Sequence, residues 1–357
     1  MATSWRCLST LRYKRTVLTC VGLLIFCQFY FAFLRGTAEE KVVQRSNNVA
    51  TTHMTTSLTE EAQRDLRQET QMKIAVFTMA PTFGMIPDKS LSTLSSWCES
   101  LGRVDLYVQL ASLKGEKMPN LNCPQMHFTL DTNIQENSRL RMEDPYYGDQ
   151  RDMEALRKRA DRIASARAQQ RRLALMNGKD YDAVIVLDID VDIPAADIVK
   201  QALQLTRQYD VLCSNSYEFD ENGDKRTYDS FPLVTSEGQH MFNRFNMAGP
   251  EQQEQYASLE GRPTQYEFFK LVADSPDVYP VQSCFGGLAI YRFSLWKVPQ
   301  CTYHTGPQLY KVPVCEHETM NNCLRSERES KGEDFRIGIY PGLEFNRGGW
   351  GKDGVPL

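Results

Sequence analysis

Three aspartates, Asp188, Asp190 and Asp192, occupy alternate positions in "VIVLDIDVDIP", residues 184–194, at the end of an apolar run. Carboxylates at i and i+2 around a tight strand exit can converge on one hard divalent cation, and a diphosphate can fill the remaining coordination positions with its own oxygens. That is the logic of a donor site for a nucleotide-sugar, where the cation offsets charge on the departing diphosphate. Solvated loop acids are the alternative reading of the same string. Asp192 stands apart from the other two: Ile193-Pro194 and a helical run follow it, so it is expected to be a helix N-cap.

These aspartates need a strand to carry them, and the preceding residues supply one. "YDAVIVLD" (181–188) is continuously apolar, as in a strand covered on both faces. Around it the texture alternates. "KIAVFTMAP" (73–81) reads as a strand, and Asp88 is a plausible N-cap for a helix through Ser100. "VDLYVQLA" (104–111) and "QMHFTLD" (125–131) read as two more strands. Asp152 to Asn177 is a long helical run with Leu156, Ala160, Ile163, Ala164, Ala168 and Leu175 at three-and-four spacing, and Gly178 ends it. "PAADIVKQALQLTRQ" is the next helix, with Pro194 in its first turn, and "DVLCSNS" (210–216) the next strand. Strand–helix alternation of this kind predicts an α/β domain with a mostly parallel sheet and helices on both faces, whose ligands bind at the carboxyl ends of the strands.

Beyond residue 216 the pattern loosens. "YEFDENGDKRTYDSF" reads as a hairpin around Asn222-Gly223. Asp220, Asn222 and Asp224 alternate as in a calcium loop, but Phe231 stands where a bidentate Glu is required, which leaves a plain turn. A Gln- and Asn-rich segment, 239–266, is a candidate acceptor-side insertion. "SCFGGLAIYR" (283–292), a helix from Glu316 to about Glu329 and "FRIGIYP" (335–341) complete the domain.

The net charge of −4 over 357 residues offers no footprint for nucleic acid. "TVLTCVGLLIFCQFYFAFL", Thr16 to Leu34, has no charge, and from Val17 it would form a helix about 27 Å long. Arg6, Arg12, Lys14 and Arg15 precede it, which orients the remainder of the chain to the lumen. A cleaved signal peptide is the alternative, but the run exceeds a usual h-region and no small-x-small cleavage site follows. The expected organisation is therefore a cytosolic tail (1–16), a signal anchor (17–34), a polar stem (35–71) and a luminal catalytic domain (72–357), held in the Golgi or endoplasmic reticulum membrane as a single-pass type II protein. Cys98, Cys123, Cys213, Cys284, Cys301, Cys315 and Cys323 fall in a disulfide-permitting compartment. Seven is odd, so at least one stays free or pairs between chains. Cys315 and Cys323 would lie about 12 Å apart on one helix, too far to bridge each other.

The ordered set "RIASARAQQRRLALMNGKDYDAVIVLDIDVDIPAADIV", "YDVLCSNSYEF", "TYDSF" and "PVQSCFGGLAIYR" resembles the GT-A glycosyltransferases of the fungal capsule-associated α-1,3-mannosyltransferase family, with kinship to Anp1-type mannosyltransferases, over roughly residues 72–345. The resemblance implies a GT-A fold, that is, a Rossmann-like mixed sheet with helices on both faces. It also implies transfer of mannose from GDP-mannose with Mn²⁺ (or Mg²⁺) to a glycan, glycoprotein or glycolipid acceptor. Ile189-Asp190-Val191 and Phe285-Gly286 depart from the family pattern, and the second departure lies where donor and acceptor sugars should meet. A UDP-sugar donor, or a catalytically silent glycan-binding GT-A domain, are the alternatives.

The resemblance then assigns residues. Asp190 is expected to ligate the metal directly and Asp188 to hold the ribose or make a second metal contact. Arg167 is expected near the donor phosphates, Asp229 on the donor sugar and Glu316 facing the acceptor. If the enzyme inverts, Glu316 is the base; if it retains, Glu316 only orients the acceptor. His317 or His304 would supply a third metal ligand. Gly286 and Gly287 let the backbone pass close to bound sugar. The alternatives are a solvated arginine for Arg167, a turn acid for Asp229, a strand bend for the glycines, favourable helix-terminus charge for Glu316, and structural roles for the two histidines. Tyr279, Trp296, Tyr303 and Trp350 could stack on sugars but are expected in the core.

Overall fold

Apolar runs bounded by turn residues become strands, and three-and-four apolar stripes become the helices that cover them. The computed structural model describes residues 72–80, 86–110, 123, 125–130, 153–189, 191–220, 222–241, 263–306 and 313–347. The expected tail (1–16), anchor (17–34) and stem (35–71) lie outside the described residues, as do Asp190, Trp350 and most of the 239–266 segment. No helix among the described residues is long and apolar enough to cross a membrane.

In chain order the elements are β1 (Lys73–Ala80), α1 (Asp88–Ser100), β2 (Arg103–Leu110), β3 (Gln125–Leu130), α2 (Met153–Met176), β4 (Ala183–Asp188), α3 (Ala196–Leu205), β5 (Val211–Phe219), β6 (Lys225–Thr227) and β7 (Val234–Thr235). Then follow α4 (Gln265–Ala273), β8 (Tyr279–Ser283), β9 (Leu288–Arg292), the short α5 (Phe293–Trp296), α6 (Glu316–Glu329) and β10 (Ile337–Asn346). The sheet order is β3-β2-β1-β4-β9-β5-β10-β8-β7, with β6 hairpinned onto β5. β3, β2, β1 and β4 are mutually parallel. β9 is inserted antiparallel between β4 and β5. The sheet is therefore mixed rather than mostly parallel, because β9 and β8 run against their neighbours.

Two consequences of this topology place the site. The chain moves outward from β1 through β2 to β3 and then returns to β4 on the other flank of β1, so the carboxyl ends of β1 and β4 form a topological switch point where an open α/β sheet binds ligands. Met79 pairs with Asp188 at that edge. Because β9 runs the other way, the residues preceding it reach the same edge: Leu187 pairs with Leu288.

Strand alternation sorts the core into two layers. Ile74, Val76, Ile185 and Leu187 pack against Leu94 and Trp97 of α1 and Val199 and Leu203 of α3. Ala75, Phe77, Val184 and Val186 face Ala174 of α2 and Met320 and Leu324 of α6. Both faces of β4 are covered, which is why its sequence is continuously apolar. Asp188 shares the phase of Val184 and Val186, so its side chain belongs to the α2/α6 layer.

Two expected caps are not formed. α3 starts at Ala196 with Ala195 as its N-cap, and neither Asp192 nor Pro194 belongs to its first turn. Residues 191–194 are instead tied to α1: Asp192 pairs with Lys89 at 3.0 Å, the Trp97 indole donates to the Pro194 carbonyl at 2.8 Å, and Ser90 Oγ donates to the Val191 carbonyl. Asp88 is the first residue of α1, after an N-cap at Pro87 and without a side-chain cap. In the hairpin turn, Asp220 accepts from the Asn222 and Asp224 amides, so its carboxylate stabilises the turn itself. Cys98–Cys123, Cys213–Cys284 and Cys301–Cys323 are disulfides, and Cys315 is a buried free thiol. Cys323 thus pairs with Cys301 and not with Cys315, whose distance along the helix excludes a bridge.

Candidate active site

Ala160, Ala164, Arg167, Arg171 and Ala174 form one buried stripe at three-and-four spacing on α2, so two arginines are carried into the interior with the alanines. Arg171 satisfies itself on the Trp296 and Val298 carbonyls at 2.9 and 2.6 Å and is structural. Arg167 reaches the sheet edge. With only 4% of its surface exposed, it donates from Nη2 to Asp188 Oδ1 at 2.8 Å and from Nε to Glu316 Oε1 at 3.0 Å. One guanidinium therefore joins the end of β4 to the start of α6. Those two carboxylates hold Arg167 charged despite its burial.

Glu316 is the first residue of α6, where its charge also complements the helix terminus. Its second oxygen accepts from the Cys315 thiol at 3.4 Å. Behind it His317 is fully buried, stacked on Phe285 with ring centroids 3.7 Å apart. Phe285 also lies under the Arg167 guanidinium at 4.6 Å. His317 Nδ1 is 3.0 Å from the Tyr291 hydroxyl and Nε2 is 3.7 Å from Glu316 Oε1. Burial, and then the positive charge of Arg167, push the His317 pKa well down, so the ring is neutral. The enclosed ring thus packs between Phe285 and Glu316. His304 is exposed, and its Nδ1 accepts from the Gly306 amide. Tyr279 packs on Phe268, and Trp296 donates its indole N–H to the Tyr303 hydroxyl; these are core aromatics.

Asp229 follows the hairpin. At φ 52° it is the single non-glycine with positive φ among the described residues, a conformation that costs about 1–3 kcal/mol and persists where the surroundings impose it. Its carboxyl is pushed up to about 8, first by burial and then by the charges of Asp188 and Glu316, with Arg167 and Arg159 pulling the other way. At neutral pH it holds its proton and can donate a hydrogen bond.

Gly286 and Gly287 adopt φ 63° and 79°. A Cβ on Gly286 would lie 2.6 Å from the Ser214 carbonyl oxygen, so a side chain is excluded there. The Asp188 amide donates to the Gly287 carbonyl at 2.8 Å, tying the turn to the end of β4. The Cys213–Cys284 disulfide fastens the start of the same turn to β5.

The structure thus brings Arg167, Asp188, Asp229, Gly286, Gly287, Glu316 and His317 to one edge. Tyr291, Ser214 and Ser216 were missed by sequence reasoning, although Tyr291 sits in the quoted "GGLAIYR" and the serines in "CSNSY". Asp190 lies outside the described residues, and among those described no three His, Cys, Asp or Glu side chains converge as a metal cluster. The side chains present nevertheless suit a hard divalent cation: Asp188 and Glu316 are oxygen donors held by Arg167, and Asp229, raised first by burial, lies within reach of the charges of both.

No family model matches the chain and no curated protein matches it, so the capsule-family resemblance rests on motif order alone. Among solved structures, the chain is similar to TarS 1–349 of S. aureus, at 11% identity and TM-score 0.38, covering 77% of this chain and 59% of that one. It is also similar to the mannosyltransferase PcManGT of Pyrobaculum calidifontis in complex with GDP-Man and Mn²⁺, at 11% identity and TM-score 0.38, covering 82% and 64%. A CMP:2-keto-3-deoxy-manno-octonic acid synthetase complexed with CTP matches at 11% identity and TM-score 0.33. The chain spans less than two thirds of the first two, and scores this low decide nothing about activity.

Proposed function

We propose that this protein is a nucleotide-sugar-dependent glycosyltransferase, and that its donor is GDP-mannose. The observation that carries the reading is the convergence of Arg167, Asp188, Asp229 and Glu316 beside a two-glycine turn at the switch point of an open α/β sheet. Mannose is favoured by the motif order that resembles capsule-associated mannosyltransferases. The N-terminal apolar run, the stem and the disulfides support a luminal, membrane-anchored enzyme of the Golgi or endoplasmic reticulum acting on a glycan or glycoconjugate acceptor.

Asp188 and Asp190 are the residues that would hold the divalent cation. Its chemistry when bound is to offset the charge of the departing diphosphate. The remaining work falls to the chain. Arg167 fixes Asp188 and Glu316 relative to each other, so neither carboxylate has to reorganise when ligand arrives. Asp229, buried beside Asp188 and Glu316, contacts an oxygen of the donor sugar. Glu316, with one oxygen on Arg167 and the other on the Cys315 thiol, orients the acceptor hydroxyl.

Incubating the purified protein with a panel of GDP- and UDP-sugars, with and without Mn²⁺, tests this by nucleoside diphosphate release. GDP release from GDP-mannose that stops with chelator and in Asp190→Ala is the expected result. Release from a UDP-sugar alone would reassign the donor, and release from no donor would remove the enzymatic reading.

A further inference from the structure

The two-glycine turn is held by its carbonyls. Gly286 O accepts from Ser214 Oγ at 2.6 Å and from Ser216 Oγ at 2.5 Å. Gly287 O accepts from the Asp188 amide, and Phe285 O accepts from the Leu288 amide. The amide N–H groups are in the opposite situation: among the described residues, neither Gly286 nor Gly287 finds an acceptor for its N–H. Gly287 is buried. A buried amide left without a partner is costly, so nearly all such groups in folded proteins are satisfied by something.

The peptide plane says where that partner must be. In a trans peptide the N–H points opposite to the preceding carbonyl. Ser214 and Ser216 share the phase of Leu212 on β5, the layer of α1 and α3. With Gly286 O directed at those serines, the Gly287 N–H is directed to the other layer, where Phe285 and His317 lie with Arg167 beside them. Only glycine can hold this arrangement, because any Cβ at 286 meets the β5 backbone.

We propose that the Gly286–Gly287 turn is an oxygen-binding element of the donor site: the Gly287 N–H, with that of Gly286, donates to an oxygen of the nucleotide-sugar, and Ser214 and Ser216 are positioning residues that lock the peptide in the donating orientation. The inference rests on the nucleotide-sugar reading above and deepens it. The accepting oxygen belongs either to the diphosphate or to a hydroxyl of the sugar, and the two sources separate experimentally.

The chain contains two Gly-Gly pairs, Gly286-Gly287 and Gly348-Gly349. Labelling glycine with ¹³C at the carbonyl and, together, with ¹⁵N at the amide therefore leaves two carbonyl-coupled amide signals, and Ser216→Ala identifies Gly287 by moving it. Calorimetry establishes binding of GDP-mannose, UDP-sugars, GDP and UDP, and the Gly287 amide proton is followed in each titration. A downfield shift with nucleotide-sugar and not with nucleoside diphosphate assigns the oxygen to the sugar; a shift with both assigns it to the diphosphate. Ser214→Ala/Ser216→Ala is expected to weaken the binding that produces the shift about tenfold. Ser216→Ala, which retains one clamp, gives a smaller loss in a folded protein. Ligand binding that leaves Gly287 unmoved, or serine variants of unchanged affinity, overturns this inference alone. Binding of nothing in the panel overturns the nucleotide-sugar reading and this inference with it.

Discussion

Replacing Arg167 with Met removes the one cation that Asp188 and Glu316 share, and leaves their carboxylates facing an apolar side chain of similar length. Breaking a buried ion pair from one side costs about 3–5 kcal/mol. The Glu316 side chain is 7% exposed and Asp188 24%, so most of the loss comes from the Glu316 side. A value of about 4 kcal/mol lowers Tm by roughly 8 °C for a domain of this size. The pH dependence carries the diagnosis. Arg167 is one of the charges that draws the Asp229 pKa downward. Without it the Asp229 titration moves further above pH 8, so the folded variant holds that proton over a wider range than the unfolded chain does. Stability then continues to fall as pH rises past the wild-type value, and the cost of the substitution is larger at pH 9 than at pH 6. Thermal denaturation of wild type, Arg167→Met, Asp229→Asn and the double variant at both pH values completes the cycle. A coupling of about 1 kcal/mol or more at pH 9 is expected, in the sense that removing Asp229 helps the Met variant more than it helps wild type. Arg167→Lys keeps a charge without the fork and falls between the two. A cost below about 1 kcal/mol, or one independent of pH, would refute the idea that Arg167 neutralises this acid cluster.

In wild type, Asp229 has a folded pKa raised above the ordinary carboxylate range, so it binds its proton more tightly folded than unfolded. Stability present near pH 4 declines as pH rises to about 8, and Asp229→Asn flattens that decline in a series of melts. Gly286→Ala forces a Cβ to 2.6 Å from the Ser214 carbonyl at a positive φ, so it should lower Tm and abolish nucleoside diphosphate release together. Reducing the disulfides should cost about 3–4 kcal/mol for each of the shorter loops, Cys98–Cys123 and Cys301–Cys323, read as a fall in denaturation midpoint with reductant. Peptide mapping after alkylation should find Cys315 unmodified in the folded protein and modified after denaturation.

Residues whose structure follows from local pattern were legible in the sequence. The covered strand β4, the placement of Asp188 at its end and the opening of α6 at Glu316 all follow from apolar runs and spacing. Arg167 was reached only through the family resemblance, because the expected apolar stripe ran through Ile163 and Ala168 and a run of neighbouring arginines reads as a solvated face; the stripe that is buried, Ala160, Ala164, Arg167, Arg171 and Ala174, carries it inward. Asp192 was misassigned because N-cap preference is a local signal, while its actual partner Lys89 arrives from a helix near the start of the domain. Ser214 and Ser216 were unreadable for the same reason: their hydroxyls are used on a turn some 70 residues later. Antiparallel insertion of β9, which brings that turn to the site, depends on sheet order, and sheet order is a property of the whole chain.

Arg167 and Glu316 are separated by 149 residues. At about 5–20 residues per second, the ribosome takes roughly 7 to 30 s to deliver the glutamate after the arginine has been made. Throughout that interval β1, β2, β3 and β4 are available to pair, while a guanidinium destined for the interior has only Asp188 to meet it. The amino-terminal half of the sheet therefore waits, half-neutralised, on the carboxyl-terminal half before this edge can be completed.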